Sequence, residues 1–387
     1  MLKDRTSFLK LYVAVIFAGL TVFPLYDNIP PKTEIWVTIA SLIIWYVIAD
    51  VILRITPPIK TLIATHFKKL DKLVTSVGDL KFFFIFWIGL MIVWIPAFCT
   101  LFPGTFGYDA PIQLMQWLGD LKLNDQHPIT HTVMIGLLYD FGTKILGGSP
   151  NTGIAIYTVV QGLIVSASIA YGLLVLRRFG ASAIEIILSF IWISFNPFIQ
   201  SLTFSITKDI LFGAFLSVFL FILWQCLWNG KWDKKTAVAF IVFGILTCLF
   251  RHQGVYFFAA LLLFLIVAPK SSQRKKKSMT IAVVIVIATF ELFGFVCHTI
   301  LGIKPGDTRE MLSVPIQQMA YVCKQKIEGQ PINVTDEQLS QVESFIPESG
   351  ILAYQPDTAD PVKTPFDTDA FTSNLLENSV LYLKLGL

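Results

Sequence analysis

The stretch Phe82-Phe83-Phe84-Ile85-Phe86-Trp87-Ile88-Gly89-Leu90-Met91-Ile92-Val93-Trp94-Ile95-Pro96-Ala97-Phe98-Cys99-Thr100-Leu101-Phe102 contains no charged residue. A helix of that length covers about 30 Å, the thickness of a bilayer's hydrocarbon core. In lipid only a helix or a closed barrel satisfies every backbone polar group, and this unbroken apolar run lacks a strand's alternation. Working outward, similar runs occur at 8–26, 34–53, 152–176, 182–200, 209–228, 236–250, 254–269 and 279–299. The expectation is therefore an all-α polytopic membrane protein with about nine spans. The seventh and eighth runs are short, separated only by Arg251-His252-Gln253. Segment 129–146 is also apolar, but it carries His131 and Asp140 between Pro128 and Gly147-Gly148. It is expected to be a re-entrant or interfacial helix. Composition agrees: of 387 residues, 55% are hydrophobic and 14% charged, whereas soluble domains are about 25% charged. A water-soluble fold is excluded.

The net charge of +4 reports sidedness, not a nucleic-acid partner. Lys3, Arg5 and Lys10, the basic residues of 54–81, Arg177-Arg178, Lys231, Lys234, Lys235, and Lys270 with 274–277 fall in alternate loops. The other loops hold only Lys32, Lys122, Lys144, Lys208 and Arg251. The positive-inside rule then places the N-terminus in the cytoplasm and 300–387 outside, provided that 129–146 does not span. The first run lacks a small-x-small cleavage site and is expected to be a retained anchor. The five cysteines form no disulfide or metal-binding spacing.

Three connecting regions stand out. Over 56–80, apolar residues recur at helical spacing with lysines interleaved, predicting an amphipathic helix on the cytoplasmic surface. In the outer loop 103–128, a short helix over 108–119 would put Asp109, Gln113 and Gln116 on one face. The segment from 300 turns acidic. It predicts helices at 309–327 and 336–345 and a proline-punctuated loop at 347–366. The expected domains are a bundle over 1–299 and a small extracytoplasmic segment over 300–387. Leu383-Lys384-Leu385-Gly386-Leu387 reads as the entry to a further element.

Sidedness alone gathers three polar groups on one membrane face: Asp109 with His127, Lys208 with Asp209, and Arg251 with His252. A carboxylate, an imidazole and two cations suit activation of a hydroxyl acceptor and capture of a phosphate leaving group. Other readings stay open at each position. Lys208 and Arg251 could snorkel at span ends, Asp109 could be a first-turn helix acid, and His127 could be an ordinary loop residue. His131 and His298 read as packing or interface residues.

Several separated motifs occur in order. They are Pro103-Gly104-Thr105-Phe106-Gly107-Tyr108-Asp109-Ala110-Pro111-Ile112-Gln113, His127-Pro128-Ile129-Thr130-His131-Thr132, Ser205-Ile206-Thr207-Lys208-Asp209, Arg251-His252-Gln253-Gly254, Ser313-Val314-Pro315-Ile316-Gln317-Gln318 and Asp360-Pro361-Val362-Lys363. Together they resemble an uncharacterised family of bacterial polytopic membrane proteins. That family in turn resembles the integral-membrane glycosyltransferases of the GT-C type, which use lipid-phosphate-linked sugars. The resemblance implies a GT-C-like helical bundle in the bacterial cytoplasmic membrane. It implies transfer of a sugar from a polyprenyl-phosphate donor to a cell-envelope acceptor at the outer face.

Asp109 and His127 would then be catalytic, Lys208 and Arg251 would bind the substrate phosphate, and Gln113, Asp209 and His252 would support them. The resemblance leaves room for a divalent metal but requires none. Tyr108-Asp109 also lacks the acidic neighbour that many relatives carry. Membrane lipid and the lipid-linked sugar are the implied partners. A transporter or flippase of a lipid-linked or anionic substrate, and a non-catalytic envelope assembly protein, are the rival expectations. The resemblance also implies that relatives continue past Leu387 into further spans.

Overall fold

The computed structural model describes residues 2–22, 31–107, 109–230, 232–267 and 273–385. Tyr108, Gly386 and Leu387 lie outside the described residues, as do the ends of the apolar runs at 8–26 and 254–269. Among the described residues the chain is predominantly helical. In order come α1 (Leu2–Val22), α2 (Pro31–His66), α3 (Lys68–Ser76), α4 (Asp79–Leu101), α5 (Asp109–Leu118), α6 (Ile129–Asp140), α7 (Pro150–Arg178), α8 (Ala183–Phe195), α9 (Pro197–Thr203) and α10 (Lys208–Asn229). These are followed by α11 (Lys234–Phe250), α12 (Gly254–Val267), α13 (Gln273–Phe295), α14 (Ser313–Ile327), α15 (Asp336–Glu343), α16 (Glu348–Leu352), α17 (Asp360–Lys363), α18 (Thr368–Ser373) and α19 (Leu375–Lys384). The described strands, β1 (Asn124–Asp125) and β2 (Lys304–Pro305), form one two-residue parallel ladder.

Among the described residues, five helices are long and apolar enough to cross a membrane: Ile35–Pro57, Asp79–Leu101, Pro150–Arg178, Lys208–Trp228 and Lys276–Ile300. The pair α8 and α9 makes a sixth if its 63° bend interrupts one span. By this measure five or six of the nine expected runs qualify among the described residues. The turn at 251–253 divides its neighbours into helices of 17 and 14 described residues, at or below the lower limit for crossing a bilayer. The chain is an all-α, multi-pass membrane protein.

Two compact units are present, the first comprising Met1–Phe102, Val160–Phe204 and Leu220–Lys231. In it α1 and α2 pack through small buried residues, Ala14, Ala18 and Ala49. Lys10 pairs with Asp50, which also lies 2.7 Å from Arg54. The expected surface helix over 56–80 is split: α2 runs on to His66, and α3 forms the separate amphipathic piece. The fully buried Trp94 of α4 donates its indole N–H to the Ser194 carbonyl at 3.1 Å, the pairing a buried indole needs. Arg177 donates to the Val74 and Val77 carbonyls at 3.2 and 2.8 Å and pairs with Asp79, fixing the α3–α4 turn. At the α8–α9 bend, Pro197 supplies no N–H, and the Asn196 side chain caps α9 by accepting from the Phe198 amide at 3.0 Å.

The second unit comprises Pro103–Val159, Ser205–Phe219 and Trp232–Leu387. Here α5 lies against α6, with Gly136 directly beneath the Trp117 ring, and the Trp117 indole donates to Asp140 at 3.2 Å. Gly142 approaches the backbone of Gly153 closely: a Cβ on Gly142 would lie 2.6 Å from the Gly153 Cα. The Phe219 ring sits 4.5 Å from Phe240 and 4.8 Å from Phe258, binding α10, α11 and α12 together. The segment from α14 onward has its own apolar core, including Ile316, Met319, Cys323, Val342, Phe345, Phe366 and Phe371. The loop expected over 347–366 in fact contains α16 and α17, because Ile351 and Val362 are drawn into that core.

Candidate functional site

The polar cluster of the second unit is assembled by local backbone geometry. The Ile206 amide donates to the Thr105 carbonyl at 2.9 Å, and Thr105 and Ser205 form an isolated parallel bridge. This joins the loop entering α5 to the loop entering α10, so Asp109 and Lys208 start their helices side by side and form an ion pair. His127 Nδ1 lies 3.5 Å from the same Asp109 oxygen. Burial works to raise the Asp109 carboxyl, but Lys208 outweighs it and holds the group below its ordinary range. Burial lowers the His127 imidazole, with Asp109 partly opposing and Lys208 reinforcing the shift. At neutral pH the trio is a carboxylate, an ammonium and a neutral imidazole.

Gln113, expected beside Asp109 on one face of α5, is wholly buried and supports a different group. Its carbonyl oxygen lies 2.9 Å from His131 Nδ1, and its amide donates to Thr132 Oγ1 at 3.0 Å. His131 Nε2 lies 2.7 Å from the Tyr157 hydroxyl. Because an amide oxygen can only accept, His131 carries its proton on Nδ1, and Tyr157 donates to Nε2. Burial pushes His131 down to about 3, consistent with that neutral tautomer.

A second cluster gathers around Asp125. Gln116 donates to Asn124 Oδ1 at 3.1 Å, the Gln126 amide donates to the same oxygen at 3.2 Å, and the β1–β2 ladder anchors the loop to 304–305. Asp125 and His127 are buried, while Gln126, in the turn that follows the two-residue strand, is exposed. His298 Nε2 lies 2.9 Å from Asp125 Oδ2, and His252 Nε2 lies 3.2 Å from Oδ1. The second approach lacks hydrogen-bond alignment, leaving buried Oδ1 without a hydrogen bond.

Of the residues expected at a site, Asp109, His127 and Lys208 meet. Arg251 instead pairs with Asp209 at 2.6 Å, its guanidinium 5.6 Å from the Phe212 ring centre, and His252 joins Asp125. Asp125 and His298 were not among the expected site residues. They are 173 positions apart, and the only sequence signal was the polarity of loop 103–128. Among the described residues, no group of three or more His, Cys, Asp or Glu side chains could hold a metal ion. His252 and His298 address opposite oxygens of Asp125, so these donors do not fit a divalent ion.

Long apolar helices carrying buried polar clusters define the class, an all-α multi-pass membrane protein. Residues 118–368 match DUF6020, described as a family of unknown function, and the chain belongs to that family. The match takes in His127, Lys208, Arg251 and Asp125 with His252 and His298, and begins after Asp109 and Gln116. No curated protein and no solved structure matches the chain.

Proposed function

We propose that the protein transfers a sugar from a polyprenyl-phosphate donor to a cell-envelope acceptor at the outer face of the bacterial cytoplasmic membrane. In this reading the N-terminus is cytoplasmic and 300–387 extracytoplasmic, as the loop charges favour. The observation that carries it is the Asp109–Lys208 pair with His127 at 3.5 Å. An acceptor hydroxyl attacks the anomeric carbon as the bond from that carbon to the phosphate oxygen breaks. The phosphate leaves with the electron pair, and Asp109 receives the hydroxyl proton. A carboxylate clamped by an ammonium is a weak base. When the donor phosphate draws on Lys208, Asp109 loses its counter-charge and becomes a stronger one. Lys208 then stabilises the charge developing on the leaving group. Arg251, positioned by Asp209, is the second phosphate cation, His127 orients the acceptor, and Gln113 and His252 support the surrounding loops.

A deletion strain complemented with wild type or Asp109→Asn tests this by analysis of envelope glycans and lipid-linked sugars. The expected result is loss of one glycan and build-up of its lipid-linked donor in the variant. Identical profiles in all strains refute the proposal. The 63° break between α8 and α9 favours the second reading, a transporter or flippase, because interrupted helices line many transport sites. Accumulation of the lipid-linked sugar on the cytoplasmic side alone would support that reading instead.

A further inference from the structure

A cavity of about 400 Å³ opens beside Asp125, within the size range of small-molecule sites. Its lining includes His252, His298, Gln253, Tyr256, Asp307 and Glu310, and contains no lysine or arginine. The Asp125 side chain is 10% exposed, and its Oδ1 has no hydrogen bond. Both imidazoles turn Nε2 toward this carboxylate. His298 Nε2 is hydrogen-bonded to Asp125 Oδ2 as the donor, which leaves Nδ1 of that ring as an acceptor. The lining is therefore rich in acceptors, supplied by the His298 imidazole, three carboxylates and the Gln253 amide, with the phenol ring of Tyr256 among them. Asp307 and Glu310 are each ion-paired, to Arg309 at 3.0 Å and to Lys363 at 2.6 Å, but neither cation lines the cavity, so its wall offers phosphate no partner. It suits a ligand that donates many hydrogen bonds while carrying no charge.

We propose that this cavity binds a neutral saccharide and is the seat of the acceptor sugar. The proposal deepens the transferase reading and rests on it. The connection is covalent as well as spatial: Asp125 is two residues from His127, which faces Asp109. Asp125 is a positioning residue here, holding His298 in the orientation that presents its acceptor nitrogen.

The test is saturation-transfer NMR on the full chain in lipid nanodiscs. The probes are the methyl glycosides of glucose, galactose, mannose and N-acetylglucosamine, with inorganic phosphate as competitor. At least one glycoside is expected to bind wild type. His298→Gln and the rim variant Tyr256→Ala are each expected to weaken that binding about tenfold, the worth of one good hydrogen bond or ring contact. Because Tyr256 is exposed, its truncation leaves the fold intact. Phosphate is expected not to compete. No glycoside binding, equal binding by all variants, or displacement by phosphate would overturn the proposal. The two readings fail separately. Glycoside binding with an unchanged glycan profile in the Asp109→Asn strain removes the transferase reading and the acceptor role, leaving a saccharide site. A lost glycan without glycoside binding removes only this site.

Discussion

Replacing Lys208 with methionine isolates the electrostatics of the trio, since methionine keeps most of the apolar stem and removes the charge. The Lys208 side chain is 18% exposed and that of Asp109 32% exposed, so the pair is neither a free surface bridge nor a fully buried one. Exposed pairs contribute about 0–1 kcal/mol, and breaking a buried pair costs about 3–5 kcal/mol. The intermediate exposure sets the expected loss near 2 kcal/mol at neutral pH, screened by the remaining solvent contact. For a unit of this size that lowers the melting temperature by roughly 4–8 °C.

The pH dependence carries the sharper test. In wild type the folded Asp109 pKa is depressed. Its contribution is present above the unfolded value and is lost as pH falls through the folded one. In Lys208→Met, burial acts without the ammonium and raises the carboxyl, so the charged form is the destabilising one. The variant should therefore recover toward wild type as pH falls and Asp109 takes up a proton. Melting curves in nanodiscs for wild type, Lys208→Met, Asp109→Asn and the double variant measure this directly. The double variant should be more stable than Lys208→Met alone, because no buried charge is left unpaired. If Lys208→Met costs under about 0.5 kcal/mol, or its deficit neither shrinks in acid nor is relieved by Asp109→Asn, the pair is not coupled as described.

Other predictions follow from packing and titration. His131→Leu leaves Gln113 and Tyr157 without their buried partner and should cost about 2–4 kcal/mol by thermal denaturation. Both His127 and His131 titrate below their ordinary value of 6.5. The unfolded chain therefore binds protons that the folded chain refuses, and stability should decline as pH falls below that value. For His131 the decline continues to about 3; His127→Gln and His131→Gln should each flatten the profile. Gly142→Ala drives a methyl group against the Gly153 backbone and should cost about 3 kcal/mol or more, seen as poor yield of folded protein. Gly136→Ala, opposed by the Trp117 side chain, should cost about 1–3 kcal/mol.

The helical class was legible because lipid imposes a simple rule on long apolar runs, and α4 follows it almost residue for residue. The short helix at Asp109 was also legible, since the polar spacing of 109, 113 and 116 marks one face. What that face meets was not legible. Gln113 turned inward to His131, a choice made by the tertiary packing of α5 on α6. The Asp125–His298 pairing was hidden for two reasons. It depends on a two-residue ladder too short to leave a pattern, and His298 lies in a π turn, Val296–Ile300. Such a turn inserts a residue into the helical repeat and moves later side chains off the face that regular spacing assigns. The division of 347–366 into helices was missed because its prolines were read as breaks, whereas Pro361 occupies the first turn of α17, where proline is tolerated.

The two-residue strand Asn124–Asp125 puts a particular demand on heredity. Asp125 and His127 face inward and Gln126 outward, so Gln126 can change its side chain without displacing either neighbour. A single deletion between Gly119 and Asn124 is different in kind. If the ladder to Lys304 and Pro305 re-formed one step out of register, Asp125 would swing outward and lose its bond to His298. The connection from α5 to this strand is thus constrained in its length more tightly than in its spelling, and codon loss there would disable the Asp125 cluster.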